Sequence, residues 1–306
     1  LFNKFKNEMA LANAPLFTVE VQQGDRAFQV TNANDPMVLQ LRTSDELWHK
    51  ENAINLGIQQ LCRVMPQVQY VAWLDADISF LQPEWKEEIV HSLQHYEVVQ
   101  CFVTAADHGP DGRQLAVYKS FLARWIDEGD VFKSPKNTKY TQYGHPGYAW
   151  AARRSALGKL GGRGGPLIDT AALGAGDRHM AFCLIGKAEE SLEKNLTEGY
   201  KNVIRAYGDR CVNHLKLNVG YVPLHISHGW HGKKADRRYH DRWKILTECA
   251  YDPNTDIYPD ENGLFRIADD TPRQIDFRNR LRAYFRIRLE DSVDFDVWDE
   301  PGRTTK

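Results

Sequence analysis

The sequence is poor in cysteine, has no long apolar run and carries almost no net charge. Its five cysteines in 306 residues are scattered and form no CxxC pair, so neither a disulfide framework nor a zinc knuckle is expected. No apolar run approaches the roughly 20 residues that a membrane-spanning helix needs, and no signal peptide is visible. A formal net charge of −2 gives no overall attraction to nucleic acid or membrane. These absences favour a cytoplasmic protein without a membrane span.

What the sequence does contain is an alternation of strand-like and helix-like segments. Strand-like segments lie at 16–21, 37–42, 70–74 and 97–103, and helical patterns lie at 46–65 and 83–96. This alternation predicts an α/β fold, a three-layer sandwich around a mainly parallel sheet. We expect residues 1–245 to form this domain, with 106–145 as a polar excursion over its site. Residues 246–306 are expected to add a helical C-terminal extension with an acidic tail.

The most informative stretch is YVAWLDADISF, in which an apolar strand runs directly into two carboxylates. Asp is a poor strand former and is almost never buried unpaired. Alternate residues of an extended chain point the same way, so Asp75 and Asp77 put two negative charges side by side at a strand's carboxyl end. Ligands of open α/β sheets bind at such ends, and a divalent cation with oxygen ligands fits there. The alternative is an Asx-type turn without a ligand.

A second candidate site lies in the loop HISHGWHGKK. A neutral imidazole of His231, or of His228 as the second choice, would complete the coordination of a cation held by the carboxylates. Lys233 and Lys234 would neutralise a phosphate as point charges. The alternative is a solvated loop with a buried Trp230.

Two further segments carry groups suited to catalysis and to nucleotide binding. In GAGD the glycines let the backbone approach a ligand, and Asp177 stands where a helix begins, either as a general base or simply as an N-cap. In the helix LWHKENAINLG, Asn52 and Asn55 share one face, and Lys50 with Asn52 would reach a nucleotide. A polar helix face in solvent is the alternative for that helix.

Taken in order, these segments resemble the GT-A glycosyltransferases, the nucleotide-sugar enzymes with a Rossmann-like fold, in their family-two-like and galactosyltransferase-like branch. The resemblance covers residues 40–245 and rests on the segments KENAINLG, YVAWLDADISF, HPGYAWAARRSAL, GAGD and HGWHG. A looser likeness, in NGLF and RAYFRIRLED, is to glycosyltransferases of bacteriophages and large viruses, which implies a host cytoplasm. The resemblance also implies a nucleotide-binding strand before the first helix, and we expect that strand ahead of Leu1.

The resemblance implies a metal-dependent glycosyltransferase that moves a sugar from a nucleotide-sugar, first of all a UDP-sugar, to an acceptor hydroxyl with inversion. Mn²⁺ or Mg²⁺ would be held by Asp75, Asp77 and His231, with His228 as a further ligand. Asp177 would take the proton of the acceptor hydroxyl. Donor contacts are expected from Lys50, Asn52, Asn55, Asp75, Lys233 and Lys234. Contacts to the sugars or the acceptor are expected from His145, Gly147, Tyr148, Trp150 and Trp230.

The acceptor is the least determined part of this prediction. The segment KKADRRYHDRWK and an arginine stripe at 278, 282 and 286 are locally basic and would follow a phosphate backbone. Nearby acidic residues balance these charges, so a solvated face is the preferred interpretation. An acceptor glycan and, in a phage context, a hydroxylated DNA base both stay open. The rival classes are a metal-dependent phosphoesterase, a nucleotidyltransferase and a sugar-binding module without catalysis.

Overall fold

The computed structural model describes residues 1–129, 143–162, 164–239 and 241–288 as a mixed α/β protein. The helices in these ranges are α1 Phe2–Leu11, α2 Lys50–Val64, α3 Trp85–Ser92, α4 Phe121–Glu128, α5 Arg154–Leu160, α6 Gly176–Leu184, α7 Glu198–Arg210, α8 Asp241–Glu248 and α9 Pro272–Arg286. The strands are β1 Thr18–Gln23, β2 Val38–Thr43, β3 Tyr70–Leu74, β4 Ile78–Phe80, β5 Val98–Gln100, β6 Thr104–His108, β7 Gln114–Lys119, β8 Ala149–Arg153, β9 Val219–Tyr221, β10 His225–His228, β11 Ile257–Pro259 and β12 Phe265–Ile267. Among the described residues, no helix is both long enough and apolar enough to cross a membrane.

Two four-stranded sheets form the centre of the described structure, and both are mixed. In the first, with the order β3-β8-β5-β9, β8 runs antiparallel to both of its neighbours and β9 runs parallel to β5. In the second, with the order β4-β10-β6-β7, only β10 and β6 run parallel. The expected α/β class is confirmed, but the expectation of a mainly parallel sheet is wrong. The strand β8 is buried along almost its whole length and its sequence is largely apolar. Such a run fits a buried parallel strand as well as a buried antiparallel one, so the sequence does not show its direction.

The segments expected as strands at 16–21 and 37–42 form β1 and β2. They pair in parallel with Thr18 opposite Val38, as a two-stranded sheet of their own. Among the described strands, β3 is an end strand of its sheet and has β8 as its one neighbour. Residues of β1 and of β3 line the same large cleft, which also contains the candidate site.

The expected polar excursion at 106–145 contains regular structure. β6 and β7 pair as an antiparallel hairpin, and α4 follows it. Ser120 caps α4, because its hydroxyl accepts a hydrogen bond from the Ala123 N–H at 3.2 Å. The strands TAADH and QLAVYK are short and half-polar, so their periodicity is weak in the sequence. Residues 130–142 of the excursion lie outside the described residues.

The C-terminal helices share one hydrophobic core with the preceding part of the chain. Phe277 of α9 is fully buried in the same cluster as Phe182 of α6 and Tyr200 of α7. A second cluster joins Phe5 of α1 to Trp85 of α3. Within the expected extension at 246–306, the described residues form the end of α8, the hairpin of β11 and β12, and α9. The expected acidic tail, after residue 288, lies outside the described residues.

Two buried asparagines fasten α2 to distant parts of the chain. The Asn52 side-chain oxygen accepts a hydrogen bond from the Phe265 N–H at 2.9 Å. The Asn55 amide donates to the Asp169 carboxylate at 2.9 Å, and its oxygen accepts from the Leu167 N–H at 2.9 Å. These contacts fix the helix so that its first turn lies at the cleft.

We expect Asn55→Ala to lower the free energy of unfolding by about 2–4 kcal/mol, because it leaves buried polar groups of Leu167 and Asp169 without their partner. Gln59→Ala, on the exposed face of the same helix, should change it by less than about 0.5 kcal/mol. Urea unfolding followed by circular dichroism measures both variants. Equal stability of the two would contradict a structural role for Asn55.

Candidate functional site

One large cleft collects many of the side chains that the sequence singles out. Its volume is about 1860 Å³, and it lies at the carboxyl end of β3, the first turn of α2 and the start of α6. The predicted charged residues and histidines on its wall are Lys50, Asp75, Asp77, His145, Asp177, His228 and His231.

The two aspartates of the turn between β3 and β4 contact different partners. The Asp75 carboxylate lies 2.5 Å from the Lys50 ammonium, and the Asp75 N–H donates to the Tyr148 carbonyl at 2.8 Å. Oδ2 of Asp77 lies 3.2 Å from Nε2 of both His228 and His231. The predicted carboxylate pair is therefore divided, with Asp77 at the histidines and Asp75 at the lysine.

We name Asp77, His228 and His231 the Asp-His-His cluster. Each residue offers one potential metal-ligand atom, and these three atoms lie within 4.8 Å of one another. The two Nε2 atoms are 3.1 Å apart, and each is 3.2 Å from Oδ2 of Asp77. Metal–ligand bonds of about 2.0–2.3 Å separate neighbouring ligands of an octahedron by about 2.8–3.3 Å. The three atoms are thus spaced like one face of such an octahedron. The other Asp77 oxygen, Oδ1, is buried without a hydrogen-bond partner among the described residues, which also fits a cation site.

Asp107 orients His228 from the side away from the cluster. Its carboxylate accepts hydrogen bonds from Nδ1 of His228 at 3.0 Å and from the Tyr148 hydroxyl at 2.8 Å. Asp107 and His228 stand opposite each other in the parallel register of β6 and β10. A carboxylate on the outer nitrogen fixes the ring and directs Nε2 towards a metal. On the open side, Nη2 of Arg237 lies 3.1 Å from Nε2 of His231.

The surrounding charges give the two histidines different protonation. Burial works against a charge on His228, but its hydrogen bonds to the carboxylates of Asp107 and Asp77 outweigh burial and raise its pKa to about 9. Burial and the nearby Arg237 guanidinium lower the pKa of His231 to about 4. Without a metal, His228 is therefore a protonated ring between two carboxylates, whereas His231 is neutral.

A second charged group surrounds the first turn of α2. Burial disfavours the ammonium of Lys50, but the carboxylates of Asp75, Glu51 and Asp177 outweigh burial and hold its pKa above the ordinary value. Burial raises the pKa of Glu51 to about 7, helped by the charge of Asp177 and opposed by Lys50. The Trp48 indole donates a hydrogen bond to Glu51 at 2.8 Å. At neutral pH this carboxyl group therefore holds a proton part of the time.

Asp177 lies in the first turn of α6 and faces the cleft. Its Oδ1 accepts a hydrogen bond from the Arg178 N–H at 2.7 Å. Its Oδ2 lies against Gly147, where an added Cβ would come within 2.7 Å of that oxygen. The N-cap position of α6 belongs to Ala175, so Asp177 does not serve as the N-cap. Its orientation towards the cleft suits a base better than a cap.

The predicted sugar or acceptor contacts are divided between the cleft and the interior. His145 and Tyr148 line the cleft and stack with their ring centroids 3.7 Å apart. Trp150 is buried, and its indole donates to the Pro146 carbonyl at 2.8 Å, so it does not line the large cleft. Gly147, between the stacked rings and Asp177, does line it.

Four further predicted contacts do not line the large cleft, namely the donor contacts Asn52, Asn55 and Lys233 and the sugar or acceptor contact Trp230. Asn52 and Asn55 are buried and bind backbone groups, as described above. Trp230 and Lys233 are half-buried and lie outside the cleft wall. Lys234 begins a short 3₁₀ helix, and its side chain lies outside the described atoms.

The predicted arginine stripe on α9 is matched by carboxylates. Arg278 lies 2.6 Å from the Asp269 carboxylate, and Arg282 and Arg286 lie 3.6 Å and 3.1 Å from the Glu46 carboxylate. These contacts support the interpretation of a balanced, solvated face.

Three residues in or next to the cleft carry little signal in the sequence. Asp107 is the next-to-last residue of β6, but the strand TAADH is too short and polar to be recognised. Glu51 lies next to Lys50 on a predicted helix, yet its burial depends on Gly176 of α6, whose Cβ would meet the Glu51 side chain at 2.9 Å. Arg237 is one of several arginines in a basic segment.

Comparisons of this chain with protein-family models, with curated proteins and with solved structures each found no match. The chemistry of the cleft therefore carries the functional inference.

In the presence of a chelator, the protein should lose stability as the pH rises from about 6.5 to 9. The pKa of His228 in the folded state, about 9, lies above its ordinary value of 6.5. Its contribution is therefore complete below pH 6.5 and is lost as the pH rises through 9. We expect a loss of roughly 1–3 kcal/mol in the free energy of unfolding, measured by urea denaturation across this range.

His228→Gln should flatten this pH dependence, because the group that titrates is gone. His214→Gln, at an exposed histidine, is the matched control and should keep the dependence of the wild type. Identical pH profiles for His228→Gln and the wild type would show that the bridge between the two carboxylates is not charged.

Proposed function

We propose that this protein is a metal-dependent glycosyltransferase that moves a sugar from a nucleotide-sugar to an acceptor hydroxyl. The observation that carries the proposal is the meeting of the Asp-His-His cluster and Asp177 on the wall of one cleft. Such a transferase needs a cation for its leaving diphosphate and a base for its acceptor, and the cleft offers groups for both. The order of segments that resembles the GT-A glycosyltransferases supports the same proposal.

The Asp-His-His cluster would hold a divalent cation, which stabilises negative charge on a leaving diphosphate. Two imidazole nitrogens and one carboxylate suit Mn²⁺ better than Mg²⁺, because Mg²⁺ prefers oxygen ligands. Mn²⁺ is therefore our first choice and Mg²⁺ the second. Lys50 would meet a donor phosphate as a point charge, since it faces the cleft while Asp75 holds its ammonium.

Asp177 would accept the proton of the acceptor hydroxyl as that oxygen attacks the anomeric carbon. A single base acting opposite the leaving diphosphate inverts the anomeric centre, and we propose inversion. The neighbouring Glu51, with its pKa of about 7, would hold a proton part of the time at neutral pH and so limit the repulsion that a second full charge would add beside Asp177.

For the fold we propose the GT-A architecture with mixed sheets, and for the donor a UDP-sugar in the cytoplasm. The stacked rings of His145 and Tyr148 would offer one edge of the cleft to a sugar. An acceptor glycan is preferred to a hydroxylated DNA base, because carboxylates already match the arginine stripe on α9.

A metal-dependent phosphoesterase is the second candidate function. One observation favours it, namely that three ligand atoms leave coordination positions for a water molecule. Against it, the described residues contain no second cluster of potential ligands, and many phosphoesterases use two ions. The products separate the two functions, because a transferase releases UDP from a UDP-sugar and a phosphoesterase releases UMP.

UDP should raise the melting temperature only when Mn²⁺ is present, because a ligand that binds the folded state stabilises it by mass action. At a UDP concentration of 100 times the Kd, the free energy of unfolding should increase by about 2.7 kcal/mol. Asp77→Asn removes the carboxylate of the cluster and should abolish the gain. Asp107→Asn leaves the three ligands of the cluster in place but weakens the contact that orients His228, and it should weaken Mn²⁺ affinity about 10–100-fold. Thermal-shift measurements with UDP, GDP and CMP, with and without Mn²⁺, test these expectations.

The matched control is Asp111→Asn, at an exposed aspartate in the turn between β6 and β7 that contacts Arg113. It should behave like the wild type. A shift that does not depend on Mn²⁺, or no shift with any nucleotide, would overturn the proposal and favour the phosphoesterase.

Gly147→Ala should impair transfer. The new Cβ would come within 2.7 Å of Oδ2 of Asp177, so the carboxylate has to move. A displacement of about 1 Å can cost about 100-fold in rate, and we expect release of UDP from the UDP-sugar to fall at least about tenfold. Gly158→Ala in α5, where an added Cβ meets nothing within 4 Å, should keep the full rate. Full activity of Gly147→Ala would exclude Asp177 as the base.

A further inference from the structure

Two arginines share one tryptophan beside Asp177. The guanidinium carbon of Arg178 lies 5.5 Å from the centroid of the Trp243 ring, and that of Arg242 lies 5.1 Å from it. All three side chains line the large cleft, and Arg178 directly follows Asp177 on α6. A ring beneath a guanidinium holds it in place and leaves its in-plane N–H groups for hydrogen bonds.

The positive charge of this arginine pair is only partly matched. Arg178 has Glu193 as a carboxylate partner at 3.4 Å. Arg242 has no carboxylate within 4.0 Å in the part of the chain that the structure describes, and its recorded contacts are the rings of Trp243 and Tyr239. Two guanidiniums beside one ring repel each other, and among the ion pairs of the described residues Glu193 offsets the charge of Arg178 alone.

The arginine pair also holds buried donors that lack acceptors. Nε of Arg178 and Nε of Arg242 are both inaccessible to solvent and have no hydrogen-bond partner within the described residues. A buried N–H group without an acceptor is costly, and a charged one is more so. An oxyanion bound by the outer N–H groups of both guanidiniums would reduce the repulsion between them.

The arginine pair is distinct from the Asp-His-His cluster. Arg237 is the arginine that contacts the cluster, at His231. Arg242 instead packs on the GAGD loop, where a Cβ added to Gly174 would lie 3.5 Å from Nη1 of Arg242. This loop leads directly into Asp177, and a base contacts the acceptor rather than the leaving group.

We propose that Arg178 and Arg242 form a subsite for an oxyanion, a carboxylate or a phosphate, that the acceptor carries near its reacting hydroxyl. The assignment of this oxyanion to an acceptor rests on the proposed function, whereas the binding of an anion by the two arginines does not. The neutral glycan acceptors that the cleft would otherwise admit are then poorer substrates, because they leave the two guanidiniums unmatched.

An NMR titration of the full chain tests the subsite with small probes. Inorganic phosphate, acetate and its neutral isostere acetamide are added at constant ionic strength to protein saturated with UDP and Mg²⁺, the diamagnetic second-choice cation, and the tryptophan indole N–H signals are followed. We expect at least one anion to bind about tenfold or more tightly than acetamide. The tighter of phosphate and acetate identifies which oxyanion the acceptor carries.

Arg242→Met should remove the preference for anions and leave the affinity for Mn²⁺ and UDP unchanged. Arg178→Met should also reduce it, which provides a second variant if one of them fails to fold. The matched control is Arg280→Met. Arg280 lies on α9, does not line the cleft and pairs with Glu248 at 2.7 Å, so this variant should keep the preference for anions.

Equal binding of the three probes would overturn the subsite. A loss of UDP affinity in Arg242→Met would also overturn it, because the pair would then belong to the donor diphosphate. Anion binding that depends on Arg242, in a protein that binds no nucleotide with Mn²⁺, would sustain the subsite while overturning the proposed glycosyltransferase.

Discussion

The chemistry of the cleft depends on one buried ring, His228, held between the carboxylates of Asp77 and Asp107. The three residues come from three separate segments, the turn after β3, the end of β6 and the end of β10. A ring bound at both nitrogens cannot rotate, so the position of Nε2 is fixed before any ligand arrives. The same contacts join the central strands of the second sheet to the turn that ends β3. The fold and the candidate metal site are therefore stabilised by the same hydrogen bonds.

The separation of Asp75 from Asp77 gives the cleft two regions with different charge. At the Asp77 end, two imidazoles and an arginine face one carboxylate, which suits a cation bound together with an anionic ligand. At the Asp75 end, Lys50 lies near several carboxylates. Burial raises the pKa of Asp75 and of Glu51, and the positive charge of Lys50 opposes part of that rise. The two regions are coupled by charge, because the ammonium of Lys50 also favours the charged form of Asp77. A substitution at Lys50 is thus expected to act on both regions through charge.

The sequence predicts the parts of the site that local pattern determines. Asp77, His228 and His231 stand at strand ends or in a glycine-containing loop, and the structure brings these three together. What the sequence does not reveal depends on pairing over long separations. The strand of Asp107 is recognisable only beside β10, and the antiparallel insertion of β8 is invisible in an apolar run. For the same reason the sequence predicts Asn55 as a donor contact, whereas the structure buries it fully against partners more than 100 residues away.

Backbone strain lies where the two regions of the cleft meet. Tyr148 has a φ of 74°, a conformation that is rare for an aromatic residue and costs about 1–3 kcal/mol. In this conformation its carbonyl accepts the Asp75 N–H, its hydroxyl donates to Asp107, and its ring stacks on His145. An extended backbone at this position would turn the carbonyl away from Asp75 or the ring away from Asp107. Glycine would adopt the same φ without strain, but it would lose the hydroxyl that helps Asp107 to hold His228. The strain therefore persists because one residue connects the turn that ends β3 to the carboxylate that orients the candidate metal ligand.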